Sequence, residues 1–171
     1  MPRGDRRADE WEEAVETLEQ AGLARYEVSN FARRPAARSR HNLAGWRGLP
    51  YAGVGPGAHG RLEAADGSGV FETVEVADPH EWARRAAAGQ STLATCRRLS
   101  TEERGKEQVI MGLRSTEGLD AARRAAWAGA LEEGGVREMQ LLGLLDTTGG
   151  GLRATSKGLN LLDSVLLRII K

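Results

Sequence analysis

Cysteine is almost absent from this sequence: Cys96 is the only one among 171 residues. No disulfide can therefore form within the chain. A single thiol also cannot hold an iron–sulfur cluster by itself, because such clusters take about four protein ligands. The sequence contains no CxxC or HExxH spacing, no Gly-Lys-Ser/Thr phosphate loop and no Ser–His–Asp pattern. We therefore expect no site that depends on one of these motifs.

Long apolar runs and a surplus of charge are also missing. No apolar stretch approaches the length of about 18 residues that a membrane-spanning helix needs. The first residues, MPRGDRRADEWEE, lack the apolar core of a signal peptide. The net charge of +0 and the pI of about 6.9 argue against a dedicated nucleic-acid or membrane-surface protein. The 40% hydrophobic and 28% charged residues are typical of a globular protein, which we expect in the cytosol.

Acidic residues are missing from one long stretch, Val28 to Leu62. The stretch contains six arginines: Arg33, Arg34, Arg38, Arg40, Arg47 and Arg61. In a neutral chain they create a local charge of about +6, which suits an anionic ligand. A solvated arginine loop is the alternative interpretation. Because the same stretch holds two of the three histidines, a tryptophan and a glycine-rich turn, we predict a binding site here.

His41, Asn42 and Trp46 form the first candidate group in this stretch. A neutral imidazole can ligate iron, and an indole can stack on a flat macrocycle. Nearby arginines can pair with carboxylates through two hydrogen bonds each. The competing interpretation is that His41 caps or packs a short helix and that Trp46 belongs to the core. Residue types alone favour this second interpretation.

A glycine-rich turn is the second candidate. Gly53-Val-Gly-Pro-Gly57 is followed directly by Ala58 and His59. Small residues let the backbone approach a ligand closely and can leave N–H groups free. A tight turn between two strands explains the pattern equally well. Among the remaining candidates, Cys96 is interpreted as a partly buried small residue and His80 as a surface residue at a helix start.

Periodicity predicts alternating helices and strands in the first part of the chain. Helices are expected at 5–22, 39–46 and 79–88, and strands within 23–31 and at 51–54, 59–64, 70–76 and 91–99. In the strand within 23–31, Tyr26 and Val28 should face one way and Glu27 the other. Gly22, Gly48 and Gly89 are expected to follow the helices.

The second part of the chain is predicted to be mainly helical. Ser100 and Glu103 form a capping box for a helix that reaches about Leu113. Further helices are expected at 119–128 and 130–142, then a hairpin of 144–146 with 152–154, then a last helix from 156 to about 170. Thr155 should cap that last helix. This order is typical of a winged-helix-like module, so the fold class is α+β, with a domain boundary within 77–100.

Four segments carry a family resemblance: YEVSNFARRPAARSRHNLAGW, YAGVGPGAHG, EQVIMGLRSTEGLD and LLGLLDTTGGGLRATSKGLNLLDSVLLRII. Together they resemble the region after the radical S-adenosylmethionine (SAM) barrel in the HemW heme chaperones, relatives of oxygen-independent coproporphyrinogen III oxidase. The resemblance implies that 1–77 is the α/β end of a partial barrel and its loops. It implies that 78–171 is a HemN-type, winged-helix-like C-terminal domain. The family's CxxxCxxC cluster motif has no counterpart, so the chain resembles the C-terminal portion of a longer protein.

The resemblance also implies roles for individual residues. The family's heme motif is HNxxYW, which His41, Asn42 and Trp46 match, whereas Gly45 stands at the tyrosine position. His41 is thereby implied as the heme-iron ligand. The missing tyrosine removes a bulky ring from the helix face that carries His41, since positions four apart share a face.

A SAM contact is implied for Ala58 and His59, because the matching loop of the related oxidase touches SAM. The [4Fe–4S] cluster and the rest of the SAM site would lie in the barrel that is missing from this sequence. The implied partners are heme or a porphyrin, that barrel, and a protein that accepts heme.

Heme binding and delivery is the function that the resemblance implies. A fragment of a coproporphyrinogen oxidase is the alternative within the family, and this chain alone is expected to lack radical SAM activity. A standalone tetrapyrrole-binding module is a different class of protein. A winged-helix nucleic-acid binder is another, for which Lys157, Arg168 and Lys171 give the last helix only a weak basic bias.

Overall fold

A computed structural model describes residues 3–171, with side chains from Arg6 onward. Its helices are α1 (Arg3–Gln20), α2 (Arg40–Trp46), α3 (Pro79–Ala87), α4 (Thr101–Leu113), α5 (Ala121–Ala126), α6 (Glu133–Leu141), α7 (Ser156–Asn160) and α8 (Leu162–Ile169). Its strands are β1 (Ala24–Arg25), β2 (Phe31–Ala32), β3 (His59–Glu63), β4 (Val70–Glu75), β5 (Leu93–Arg98), β6 (Leu145–Asp146) and β7 (Arg153–Ala154). Within this part of the chain, no helix is both long and apolar enough to cross a membrane.

The strands of residues 3–171 form three antiparallel sheets, β1-β2, β3-β4-β5 and β6-β7. In the central sheet, His59 lies opposite Val74, and Phe71 lies opposite Arg98. This sheet takes strands from both sides of position 77. The domain boundary within 77–100 stays a prediction.

The main hydrophobic core lies in the second half of the chain, between α4, α6, α8 and the β6-β7 hairpin. Its fully buried side chains include Val109, Leu113, Leu119, Leu131, Val136, Leu152, Val165 and Ile169. A smaller cluster of Tyr26, Ala32 and Leu43 lies under α2. Leu43 therefore anchors the short helix that carries the first candidate group.

A short antiparallel contact joins the two regions. The Val28 N–H donates to the Arg114 carbonyl across 3.0 Å, and the Thr116 N–H donates to the Tyr26 carbonyl across 3.0 Å. Glu27 and Ser115 form a β-bridge between these two bonds. The segment before α2 is thereby fixed to the end of α4.

A chain of ion pairs fastens the central sheet to α4. Arg61 on β3 contacts Glu107 on α4 at 2.7 Å and Glu72 on β4 at 3.2 Å. Arg97 on β5 contacts the same Glu72 at 2.8 Å and Glu103 on α4 at 2.7 Å. We call these five residues the Arg61 network. Every strand of the sheet contributes to it.

The mixed α and β fold and most of the predicted elements are confirmed. The side chain of Ser39 accepts from the Asn42 N–H and so caps α2. Ser100 and Glu103 form both bonds of the predicted capping box at α4. The order of helices followed by a hairpin and a final helical segment is also as predicted, whereas the winged-helix assignment stays a prediction.

Three element predictions were wrong. The single strand predicted within 23–31 is instead a pair of two-residue strands, β1 and β2. Glu27 does not face solvent opposite Tyr26, because both residues are buried, at 2% and 3% exposure. The strand at 51–54 is reduced to one bridge between Tyr51 and Arg61. The last helix is two helices, because Leu161 takes a φ of −115° and a ψ of 24° between α7 and α8.

Candidate functional site

A cavity of about 280 Å³ lies beside α2. The helix contributes His41, Asn42, Ala44, Gly45 and Trp46 to its lining, and Tyr51 and Met111 complete it. The structure therefore brings together three of the residues singled out in the sequence, His41, Asn42 and Trp46. In addition, Tyr51 contributes a phenol group and Met111 contributes a thioether to the same cavity.

The cap at Ser39 and the buried Leu43 fix the orientation of α2. His41 is exposed near the start of the helix, and Gly45 follows one turn later on the same face. A Cβ atom built at Gly45 would meet no other atom within 4 Å. The space that the motif tyrosine would fill is therefore open, and no neighbouring side chain occupies it.

Trp46 is half-buried and held from two sides. Its Nε1 donates to the Glu27 carboxylate across 3.0 Å. The Arg114 guanidinium carbon lies 5.2 Å from the centre of the indole ring. This distance is typical of a cation–π contact. Trp46 is therefore both a packed residue and part of the cavity wall, so the two interpretations of it are compatible.

Tyr51 and Met111 were missed as site residues. Tyr51 lies in the acid-free stretch but was assigned to a strand, and its N–H and carbonyl bond to Arg61 at 2.7 and 2.8 Å. Met111 is half-buried on α4, far from α2 in sequence. Its position depends on the packing of α4 against α2, for which the local sequence gives no signal.

Two of the six arginines are neutralised, so the predicted local charge of about +6 is too high. Arg47 donates two hydrogen bonds to Glu117, and Arg61 pairs with Glu72 and Glu107. The three carboxylates all lie outside the acid-free stretch. Two of the six arginine charges are therefore compensated, and four remain. The bonds from Arg47 lower the pKa of the Glu117 carboxyl below its ordinary value.

The remaining arginines lie around the start of α2. Arg33, Arg34 and Arg40 are exposed, and Arg38 lies 5.5 Å from the centre of the Tyr26 ring. None of the four forms an ion pair with the side chains described from residue 6 onward. The segment that leads into α2 and its first residue therefore carry four arginines without an ion-pair partner among these side chains.

Chain packing accounts for much of the glycine-rich turn. The Gly57 N–H donates to the Val76 carbonyl across 2.9 Å, and the Ala58 N–H donates to the Gly55 carbonyl across 3.1 Å. A Cβ atom at Gly53 would overlap the carbonyl of His59. The close passage of two backbone segments therefore requires glycine at position 53.

Ala58 and His59 do not line the cavity beside α2. Ala58 is half-buried before β3, and His59 is exposed as the first residue of that strand. Their SAM contact stays a prediction.

His80 is exposed at the start of α3, as expected. Cys96 is exposed on β5, so the prediction of a partly buried thiol was wrong.

Residues 99–161 match the family model of the HemN C-terminal domain. The chain is 34% identical over 180 residues to the mouse radical S-adenosyl methionine domain-containing protein 1, mitochondrial, covering 99% of this chain and 40% of that protein. It is also 34% identical over 169 residues to the heme chaperone HemW of Mycobacterium tuberculosis, again covering 99% of this chain and 40% of the relative.

The fold is similar to that of a solved structure, coproporphyrinogen III oxidase (HemN) from Escherichia coli, a radical SAM enzyme. The TM-score is 0.64, and the alignment covers 97% of this chain and 41% of the enzyme. With 17% sequence identity, this likeness concerns the fold alone.

The family model and the fold together define a HemN-type C-terminal domain within this chain. More narrowly, the chain is a homologue of the C-terminal portion of HemW and of radical S-adenosyl methionine domain-containing protein 1. It spans about 40% of the length of these relatives.

Proposed function

We propose that this chain provides the heme-binding surface of a HemW-like heme chaperone. The observation that supports the proposal is the cavity lined by His41, Trp46, Tyr51 and Met111. An imidazole is a common ligand of heme iron, and a mixed wall of aromatic and small side chains suits a flat macrocycle. The name of the Mycobacterium tuberculosis relative, a heme chaperone, points to the same ligand. Heme is then the cargo of the protein rather than its resident cofactor.

His41 is the proposed iron ligand. Its side chain is exposed and forms no hydrogen bond with the described residues, so the ring nitrogen is free to coordinate. Gly45 leaves the approach along the same helix face open. Asn42 and Trp46, the other motif residues, line the same cavity.

The heme propionates are proposed to pair with the unpaired arginines near the start of α2. A guanidinium group binds a carboxylate through two parallel hydrogen bonds. Arg33, Arg34 and Arg40 are exposed, and Arg40 directly precedes His41 in the chain. Because exposed charges are screened by salt, heme affinity should fall modestly as the ionic strength rises.

SAM and a [4Fe–4S] cluster are proposed as cofactors of the longer protein, in keeping with the radical SAM names of the relatives. The residues of this chain do not fit the cluster, since Cys96 is the only cysteine. Residues 3–171 also contain no group of three or more His, Cys, Asp or Glu side chains that could hold a metal ion. No chemical step is therefore assigned to the cluster in this chain.

Delivery of heme to an acceptor protein is the proposed biological role. Coproporphyrinogen oxidation has weaker support, because it rests on a fold likeness at 17% identity. A cytosolic location stays a prediction, since some relatives are named as mitochondrial proteins.

Titration with heme tests the proposal. The 171-residue chain and its variants His41→Ala, His59→Ala and Cys96→Ala are titrated, and the Soret band is followed. We expect saturable binding by the wild type and by the His59 and Cys96 variants, and loss of the bound spectrum with His41→Ala. A wild-type spectrum and affinity in His41→Ala, together with loss in another variant, would show that the assignment is wrong.

A further inference from the structure

Met111 approaches the cavity from a different element than His41. His41 lies on α2, whereas Met111 lies on α4, which packs against α2. Met111 also lines a small adjoining pocket together with Gly45 and Tyr51. His41, Gly45 and Met111 therefore border the same open space, which two different helices enclose.

We propose that the Met111 thioether sulfur is the second axial ligand of the heme iron, with His41 as the first. This inference rests on the proposed function of the cavity. Imidazole and thioether together form an established ligand pair for heme iron, and the thioether raises the reduction potential. The thioether carries no ionisable proton, so it binds iron without a change in its own charge.

The other donors of the cavity fit this role less well. The Asn42 side chain offers only an amide, a poor ligand for heme iron. The Tyr51 phenol is a strong ligand for iron only as the phenolate, so it has to lose its proton on binding. Its backbone is also fixed to the start of the sheet through two bonds to Arg61.

The surroundings of Met111 favour a ligand role over a core role. Its neighbours Val109 and Leu113 on α4 are completely buried in the main core, whereas Met111 is only half-buried and borders the cavity. A methionine side chain has three rotatable bonds and a polarisable sulfur, so it adjusts easily to a ligand. No side chain at Gly45 obstructs that movement.

A thioether suits a protein that must give up its cargo. It is a neutral donor on a flexible side chain, so it can leave the iron without a change of charge. An acceptor protein could then add its own ligand at the vacated axial position while His41 still holds the iron.

Absorption and magnetic circular dichroism spectra of the heme-loaded chain test the inference. The wild type should be six-coordinate and low-spin, with the charge-transfer band of a thioether–iron bond. Met111→Leu nearly conserves side-chain volume, so it should fold and still bind heme through His41. We expect it to lose that band, to become five-coordinate and high-spin, and to have a lower reduction potential.

Two further variants sharpen the test. Met111→His should give the low-spin spectrum of two imidazole ligands if position 111 reaches the iron. Met139→Leu is the matched control, because Met139 is a core residue with 5% exposure, and its spectrum should equal that of the wild type.

The possible failures are distinguishable. If heme binds through His41 but Met111→Leu keeps the wild-type spectrum, the ligand role of Met111 is wrong and the proposed function stands. The same holds if Tyr51→Phe, rather than Met111→Leu, removes the second ligand. If the wild type binds no heme, or binds it without His41, the proposed function and this inference both fail.

Discussion

The indole nitrogen of Trp46 donates a hydrogen bond to the carboxylate of Glu27 across 3.0 Å. Glu27 is 2% exposed and also accepts from the Ser29 N–H at 3.0 Å. It forms a β-bridge with Ser115 just after α4. Glu27 therefore ties the cavity wall to both halves of the chain, through its side chain to Trp46 and through its backbone bridge to Ser115.

Replacement of Glu27 by Ala should destabilise the protein by about 1–3 kcal/mol, because buried donors lose their charged acceptor. Glu27→Gln keeps one acceptor oxygen and should lose less. Urea unfolding followed by far-UV circular dichroism measures both. If Glu27→Ala unfolds at the same urea concentration as the wild type, the contact does not contribute to stability.

Replacement of Arg61 by Ala should loosen the sheet from α4. The Arg61 side chain is 16% exposed and its partners Glu72 and Glu107 are 19% and 17% exposed, so both carboxylates lose a partly buried counter-charge. We expect a loss of about 1–3 kcal/mol and faster hydrogen exchange in β3 and β4.

Arg6→Ala is the control for Arg61→Ala. Arg6 also contacts a carboxylate, Glu10, but the two side chains are 81% and 59% exposed. The expected change in stability is below about 1 kcal/mol, as for most surface ion pairs. Equal losses in the two variants would contradict a special role for the Arg61 network.

Glu103 should make stability depend on pH in the acid range. Its hydrogen bonds with the Ser100 backbone, with Arg97 and with the Ser100 hydroxyl lower its pKa from 4.5 to about 2. A lowered pKa in the folded state gives stability that is present above 4.5 and is lost as the pH falls towards 2. Glu103→Gln should therefore flatten the decline of melting temperature between these values.

Glu13→Gln serves as the control for Glu103→Gln, because Glu13 is an exposed carboxylate on α1. Its melting curve should follow that of the wild type across the acid range. A Glu103→Gln curve parallel to the wild type would show that this carboxylate does not contribute to acid sensitivity.

Asn160 connects α1 to the second half of the chain. Its side-chain oxygen accepts from the Trp11 indole at 3.0 Å and from the Arg25 guanidinium at 2.7 Å. Asn160→Ala should therefore release α1 and speed its hydrogen exchange and proteolysis. Asn160→Asp keeps an acceptor oxygen for both donors and should protect α1 better. Equal protection of α1 in the wild type and Asn160→Ala would disprove the connection.

Gly45 and Gly112 form a matched pair of helical glycines. A Cβ atom at Gly45 meets nothing within 4 Å, whereas one at Gly112 would lie 2.9 Å from Leu119. Gly45→Ala should stabilise the protein by about 0.5–1 kcal/mol through helix propensity. Gly112→Ala should destabilise it by about 1–3 kcal/mol through overpacking. Thermal melts compare them, and a loss of stability in Gly45→Ala would show that the space is not open.

Local signals made much of the fold predictable. The caps at Ser39 and Ser100 depend on bonds between residues three apart, which a sequence displays directly. The hairpin of β6 and β7 likewise follows from its glycine-rich turn. The break at Leu161 was not predictable, because the apolar spacing of the two last helices is continuous.

The site was predictable only in its local part. His41, Asn42 and Trp46 lie on one short helix, so one segment of sequence contains them all. Met111 reaches the cavity through tertiary packing, and Glu27 is buried because Trp46 supplies a donor from a different element. A charged residue in an alternating segment is ordinarily assigned to the solvent face, which explains the wrong prediction for Glu27.

The central sheet decides where the chain can be shortened. A recombinant piece that starts at residue 78 would contain β5 without β4, leaving the edge residues Leu93 to Arg98 with unpaired backbone groups. Such an edge is a template for pairing with other molecules and promotes aggregation. A piece that starts before His59 keeps all three strands together and is the better choice for crystallisation or isotope labelling.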